Sequence, residues 1–223
     1  MSAIILFMAG IAAIAGWWLS QQRLTAKPWL EEGVLVDLRE EGTSSLPAAK
    51  IGLGVFLAVV GSLFALFISA YSMRMNLVDW RTLPVPALLW FNTGVLVLSS
   101  VALQWAYMAA RRDDIDGVIV GLCAGGATAV TFLIGQLLVW RELSIAGYFL
   151  ASNPANSFFY LITAVHGLHL TGGLVALGRT TAKVLRGAAA AQMRLSVELC
   201  TIYWHFLLVV WLVLLGLDRK SVV

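Results

Sequence analysis

The three histidines of this 223-residue chain, His166, His169 and His205, all stand inside apolar sequence near its C-terminal end. His166 and His169 are three residues apart and share one face of a helix. Glu198 and His205 are seven apart, two turns along one face of the last apolar segment. Ionisable side chains at membrane depth are costly and raise a functional question. Three imidazoles allow at most one bis-histidine haem with one ring left over, or a copper or zinc site that uses all three. Glu198 and the imidazoles also suit a proton path. A fourth reading is structural: the groups bond neighbouring helices or lipid headgroups where acyl chains supply no partner. That reading is preferred, with no catalytic or metal-binding residue assigned. Gln136, with Asn92, Ser99, Ser100 and Gln104, completes the buried polar inventory.

These residues need spanning helices to hold them. A span takes about 20 mostly apolar residues, and six stretches fit: 3–19, 51–73, 84–110, 118–140, 157–177 and 199–217. The fold class expected is all-α, a polytopic membrane bundle of about six helices. Its division is an N-terminal span over 1–22, a loop over 23–49 and a five-helix core over 50–218. The first span is read as retained: no basic residue precedes it, and Trp17-Trp18 closes it as an interfacial anchor. Gly52-x-Gly54, Gly121-x3-Gly125 and Gly172-Gly173 mark close helix packing. The histidine pair, near the middle of its span, is expected to approach His205 more readily than Glu198. Trp140, Trp204 and Trp211 are read as belt or packing residues.

Composition excludes other classes. Sixty per cent of the residues are hydrophobic and 12 per cent are charged, too few to cover a soluble core of this size. The net charge of +3 comes from basic residues scattered between apolar blocks, so a nucleic-acid partner is not expected. Cys123 and Cys200 both lie in apolar runs, which leaves no disulfide framework. Counting Lys and Arg gives ten on the connections that include the 23–49 loop, Arg186 and Arg194, against five on the other side. The loop is therefore placed in the cytoplasm and the C-terminus outside.

Several motifs, in order, resemble the cytochrome c oxidase subunit III family of the haem-copper oxidases. Lys50-Ile-Gly-Leu-Gly-Val-Phe-Leu57 opens the second span, and Asn92-Thr93 with Ser99-Ser100 is similar to the family's N-T-x5-S-S run. Gln136 and Trp140 resemble its G-Q-x3-W signature. Phe159-Tyr160, Thr163, His166-Gly167 and His169 resemble its F-Y-x-x-T-x-x-H-G-x-H block. Glu198, Tyr203-Trp204-His205-Phe206 and Val210-Trp211 resemble its closing motif. The chain departs from the larger members in having one short span where they have two. Val60 stands where they often carry a buried Glu, and Leu208 where they often carry an Asp.

The resemblance implies a non-catalytic chain without a redox centre of its own, with haem and copper in partner subunits and bound phospholipid. It implies subunits I and II of a proton-pumping oxidase as partners, contact with membrane phospholipids and with other respiratory complexes, and a place in a bacterial cytoplasmic (inner) membrane. Association with nitric oxide reduction, or with a quinol oxidase, is the alternative. The lipid-binding and structural polar residues expected are His166, His169, Glu198, His205, Gln136, Trp140, Arg186 and Arg194. Lipid contact is assigned first to His169, His205, Arg186 and Arg194.

Overall fold

The computed structural model describes residues 48–75, 77, 80–81, 86–187 and 190–220. They form five helices: α1 (Ala48–Arg74), α2 (Ala87–Arg111), α3 (Ile115–Ile145), α4 (Pro154–Leu185) and α5 (Ala190–Lys220). No strand occurs among the described residues. All five helices are long and apolar enough to cross a membrane. The span expected over 1–22 and the loop over 23–49 lie outside the described residues. The chain divides into Met1–Gly52 and Leu53–Val223. Of the first unit only the opening residues of α1 are described, and the second holds everything that follows.

Four helices close into a ring: α2 packs on α3, α3 on α4, α4 on α5, and α5 back on α2. The tightest of these pairs is α2–α3. It is close because small residues face each other there. A Cβ added at Gly121 would stand 2.8 Å from Ala106 Cβ and 2.9 Å from the Ala102 carbonyl oxygen. One added at Gly125 would stand 2.8 Å from Leu103 Cγ. Without the hydrophobic effect to drive them together in lipid, helices associate by such backbone approach. The expected Gly172-Gly173 contact resolves into one residue. Gly173 lies under the rings of Tyr203 and Trp204, whereas a Cβ added at Gly172, or at Gly52 of the expected Gly52-x-Gly54 contact, would meet no neighbour within 4 Å among the described residues.

α1 joins the ring differently. Its buried residues Val60, Phe64, Ile68 and Tyr71 fall on one stripe, and long side chains make the contact. Phe64 meets both His166 and His169 of α4, Phe56 meets Tyr203 of α5, and Tyr71 meets Phe158 of α4. Val60 is part of this apolar stripe.

The helix ends explain the tight connections. α3 ends in a Schellman motif: Tyr148 N–H reaches the Leu143 carbonyl and Gly147 N–H the Ser144 carbonyl, with Gly147 at φ 87°. α4 starts on Asn153, whose side chain accepts from Ala155 N–H, with Pro154 in the first turn. The helices outrun the apolar stretches that predicted them. α4 continues to Leu185 and α5 begins at Ala190, because Ala, Lys and Arg keep the helix going while their charged tips leave the apolar zone.

Candidate functional site

A seam of hydrogen bonds runs along α2 and ties it to two neighbours. Asn92 Nδ2 donates to the Phe132 carbonyl at 3.0 Å and to Gln136 Oε1 at 3.4 Å, both on α3. Thr93 Oγ1 accepts from Trp211 Nε1 of α5 at 3.0 Å. Two turns on, Ser99 Oγ donates to the Gly125 carbonyl at 2.7 Å and accepts from Trp204 Nε1 at 2.9 Å. Below that, Thr201 Oγ1 lies 3.2 Å from the Leu103 carbonyl. Ser99 and Trp204 are both fully buried. One hydroxyl thus joins α5, α2 and α3. Asn92, Thr93, Ser99, Ser100 and Gln136 stand out in the sequence as polar residues, whereas Trp204 and Trp211 read there as belt or packing residues. The signal for the indole bonds is the seven-residue spacing of Trp204 and Trp211, which puts both on one face of α5 toward Ser99 and Thr93 of α2.

His166 and His169 do share a face, and that face meets Phe64. His166 is fully buried, with ring centroids of Trp211 at 5.1 Å, Phe132 at 6.0 Å and Phe64 at 6.3 Å. Neither of its ring nitrogens has a hydrogen-bond partner, and Gln136 Nε2 is likewise unpartnered. His169 Nδ1 lies 2.8 Å from the Val165 carbonyl, and the His169 carbonyl accepts from Tyr203 OH. The expected approach of this pair to His205 is not what the packing gives. Trp204 takes the inward position on α5. His205, one residue and about 100° further round the helix, lies in a different place.

That place is a lateral groove between α2 and α5. Gln104, Tyr107, Glu198, Thr201, Ile202 and His205 line it, around a volume of about 320 Å³. Glu198 and His205 therefore share a face, as their spacing predicts. His205 Nδ1 stands 2.7 Å from the Thr201 carbonyl. A carbonyl only accepts, so Nδ1 carries a proton. No group of three or more His, Cys, Asp or Glu is placed to hold a metal ion among the described residues.

The other expected site residues work at the two ends of the bundle. Trp140 Nε1 donates to Thr163 Oγ1 at 3.1 Å, next to Tyr160, whose hydroxyl donates to the Tyr148 carbonyl. At the opposite end, Arg194 Nε donates to the Ala110 carbonyl at 3.1 Å and Nη2 meets both Asp113 carboxylate oxygens. Asp113 has φ 57°, an uncommon value for a residue with a side chain. Arg194 thus satisfies a carbonyl at the end of α2 and holds the strained turn after it. Arg186 is exposed just beyond α4 at this same end.

Comparison with known proteins agrees with this architecture. The family model for cytochrome c oxidase subunit III matches residues 51–216, and the chain belongs to that family. A cytochrome c oxidase subunit 3 of Thermostichus vulcanus is 33% identical over 175 residues, covering 75% of this chain and 84% of that one. A probable cytochrome c oxidase subunit 3 of Mycobacterium bovis is 37% identical over 127 residues, covering 55% and 60%. A protein of Aeropyrum pernix named heme-copper oxidase subunit I+III is 30% identical over 121 residues, 54% of this chain and 15% of that one. The chain is therefore a multi-pass membrane protein and a subunit III of the haem-copper oxidase type.

Proposed function

We propose that this chain is the non-catalytic subunit III of a proton-pumping terminal oxidase that reduces oxygen to water with electrons from cytochrome c. It sits beside the catalytic subunit I in a bacterial cytoplasmic membrane, with the loop over 23–49 inside and the C-terminus outside. It holds structural phospholipids and supports proton uptake and turnover stability. The observation that carries this reading is the seam. Its indole, amide and hydroxyl groups are spent joining one helix to the next, which is the work of a scaffold. The haem and copper of such an enzyme belong to subunits I and II. The Aeropyrum relative, named for subunits I and III together, supports adjacency to the catalytic subunit.

Lipid phosphate is held at the end of the bundle where α2 and α4 finish. Arg111, Arg112 and Arg186 are exposed there and suit anionic oxygens. Arg194 has a smaller share in this, because its guanidinium is engaged with Asp113.

Purification through a tag on this chain in mild detergent tests the reading. Oxidase subunits I and II are expected to follow it. The enzyme stripped of this chain is expected to keep its haem spectrum and initial rate and to lose activity sooner during turnover. Recovery of nitric oxide reductase subunits instead, or loss of a haem band on stripping, overturns it.

A further inference from the structure

One face of α2 carries three hydrogen-bond donors in order of depth. Gln104, Tyr107 and Arg111 follow at intervals of three and four residues, so they stack on one side of the helix. Arg111 closes the helix, and at 1.5 Å per residue Tyr107 lies about 6 Å and Gln104 about 10 Å inside it. Gln104 and Tyr107 line the groove toward α5, and Arg111 is exposed. Neither the amide nor the phenol enters a hydrogen bond among the described residues. Farther in, the exposed surface turns apolar. The Thr201–Leu103 and Arg194–Ala110 contacts fix the register of α5 against α2, which sets Ile202 just deeper than Gln104 and Val209 two turns deeper again. Both are exposed, as are Val97 and Val101 on α2. His205, between Ile202 and Val209, gives its Nδ1 proton to the Thr201 carbonyl. Glu198 has an interaction of its own and is not counted among the groups available to a ligand.

Guanidinium, phenol, amide and then an apolar track, from the helix end inward, match the order of groups along one molecule. A diacyl glycerophospholipid carries an anionic phosphate outermost, ester carbonyls beneath it and acyl chains beneath those. The phosphate takes charge-assisted bonds from a guanidinium. Ester carbonyls only accept, so they suit a phenol O–H and an amide N–H. Acyl chains alone leave both donors unmet. A neighbouring transmembrane helix has its own carbonyls bonded internally and offers no such run of acceptors.

We infer that the α2 face of Gln104, Tyr107 and Arg111, with Ile202 and Val209 of α5 below it, is a binding site for one diacyl glycerophospholipid, its phosphate on Arg111 and its ester carbonyls on Tyr107 and Gln104. This rests on the reading of the chain as a lipid-holding subunit, and it adds the ester contacts and the course of the acyl chains.

The test uses the intact oxidase, purified through the tagged chain in mild detergent and placed in nanodiscs. Two phosphatidylglycerol probes carry the same diazirine-bearing chain. One is ester-linked and the other ether-linked, so only the first has carbonyls. The ester probe is expected to label segments 97–111 and 198–209, and the ether probe to label them about fivefold less, as a lost hydrogen bond implies. Gln104→Leu combined with Tyr107→Phe is expected to bring the ester probe down to the level of the ether probe. Arg111→Gln is expected to weaken both probes alike. Thr131→Val, which removes an exposed hydroxyl on α3, is expected to change neither. Equal labelling of the parent by the two probes, unlabelled segments, or a double variant that keeps the preference for the ester overturns the site. If the tagged chain brings no oxidase subunit with it, the functional reading falls, and the labelling of that same sample still judges the lipid site. If subunits I and II are present and the segments stay unlabelled, the lipid site alone falls.

Discussion

At the residue scale, two buried polar groups with opposite bookkeeping make the sharpest comparison. Ser99 has a full set of partners, and Trp204 Nε1 depends on it. Ser99→Ala leaves that indole N–H buried and unsatisfied, which costs about 1–3 kcal/mol. Direct hydrogen bonds between membrane helices average only about 0.6 kcal/mol, so the orphaned donor decides the size of the effect. The thermal midpoint of the purified complex, followed by tryptophan fluorescence, is expected to fall. Adding Trp204→Phe is expected to cost less than the sum of the two single changes, since the orphan is then gone. His166 is the opposite case. Its ring nitrogens have no partner and three aromatic rings surround it. Leu has a similar volume and no polar atom to bury, so His166→Leu is expected to leave the midpoint unchanged or raise it. A fall of about 2 kcal/mol or more in the same measurement contradicts that account.

At the scale of elements, the α2–α3 pair depends on backbone approach. Gly121→Leu places a side chain against the Ala102 and Ala106 backbone, atoms that cannot swing aside. Overpacking of this kind costs about 1–3 kcal/mol. It is expected to separate the pair, seen as faster hydrogen exchange in α2 and α3 and little change in α1. The turn after α2 is a weaker joint. The Arg194–Asp113 pair is half exposed, and such pairs contribute about 0.2–1 kcal/mol. Arg194→Ala is therefore expected to cost less than Ser99→Ala, by an amount that shrinks as salt is raised. Asp113→Gly removes the ion pair but suits φ 57°. In that background Arg194→Ala is expected to lose only its bond to the Ala110 carbonyl, and a double-mutant cycle on thermal midpoints measures the difference. These elements also show what the sequence could and could not tell. The five described spans and the Gly121–Gly125 contact were legible, because apolar length and small-residue spacing are local signals. So was the shared face of Glu198 and His205, fixed by helical period. The separation of His205 from the histidine pair was not. It depends on Trp204 turning inward, and which of two adjacent residues wins the core is decided by the facing helices. The role of Arg194 was hidden for the same reason, since Asp113 is 81 residues away.

At the scale of the whole molecule, the ring of α2 to α5 and the outlying α1 are held by different means, so they can be weakened separately. The ring is locked by the hydrogen-bonded seam. α1 is held by side-chain contacts, with Phe64 central: it is 1% exposed and touches both His166 and His169. Phe64→Ala removes a large buried ring and costs about 3–5 kcal/mol when the site cannot collapse. The loss falls on the joint between α1 and α4 and leaves the seam intact. If this subunit acts as a scaffold beside the redox centres, loosening that joint changes endurance and leaves the chemistry alone. The Phe64→Ala oxidase is expected to show the parent's haem spectrum and initial rate, and a progress curve that decays several-fold sooner during sustained turnover. Hydrogen exchange in the same sample is expected to rise in α1 while the amides of α2 around Ser99 stay protected. A reduced initial rate with an unshortened progress curve would place this chain's contribution in the chemical step, and the scaffold account would then be wrong.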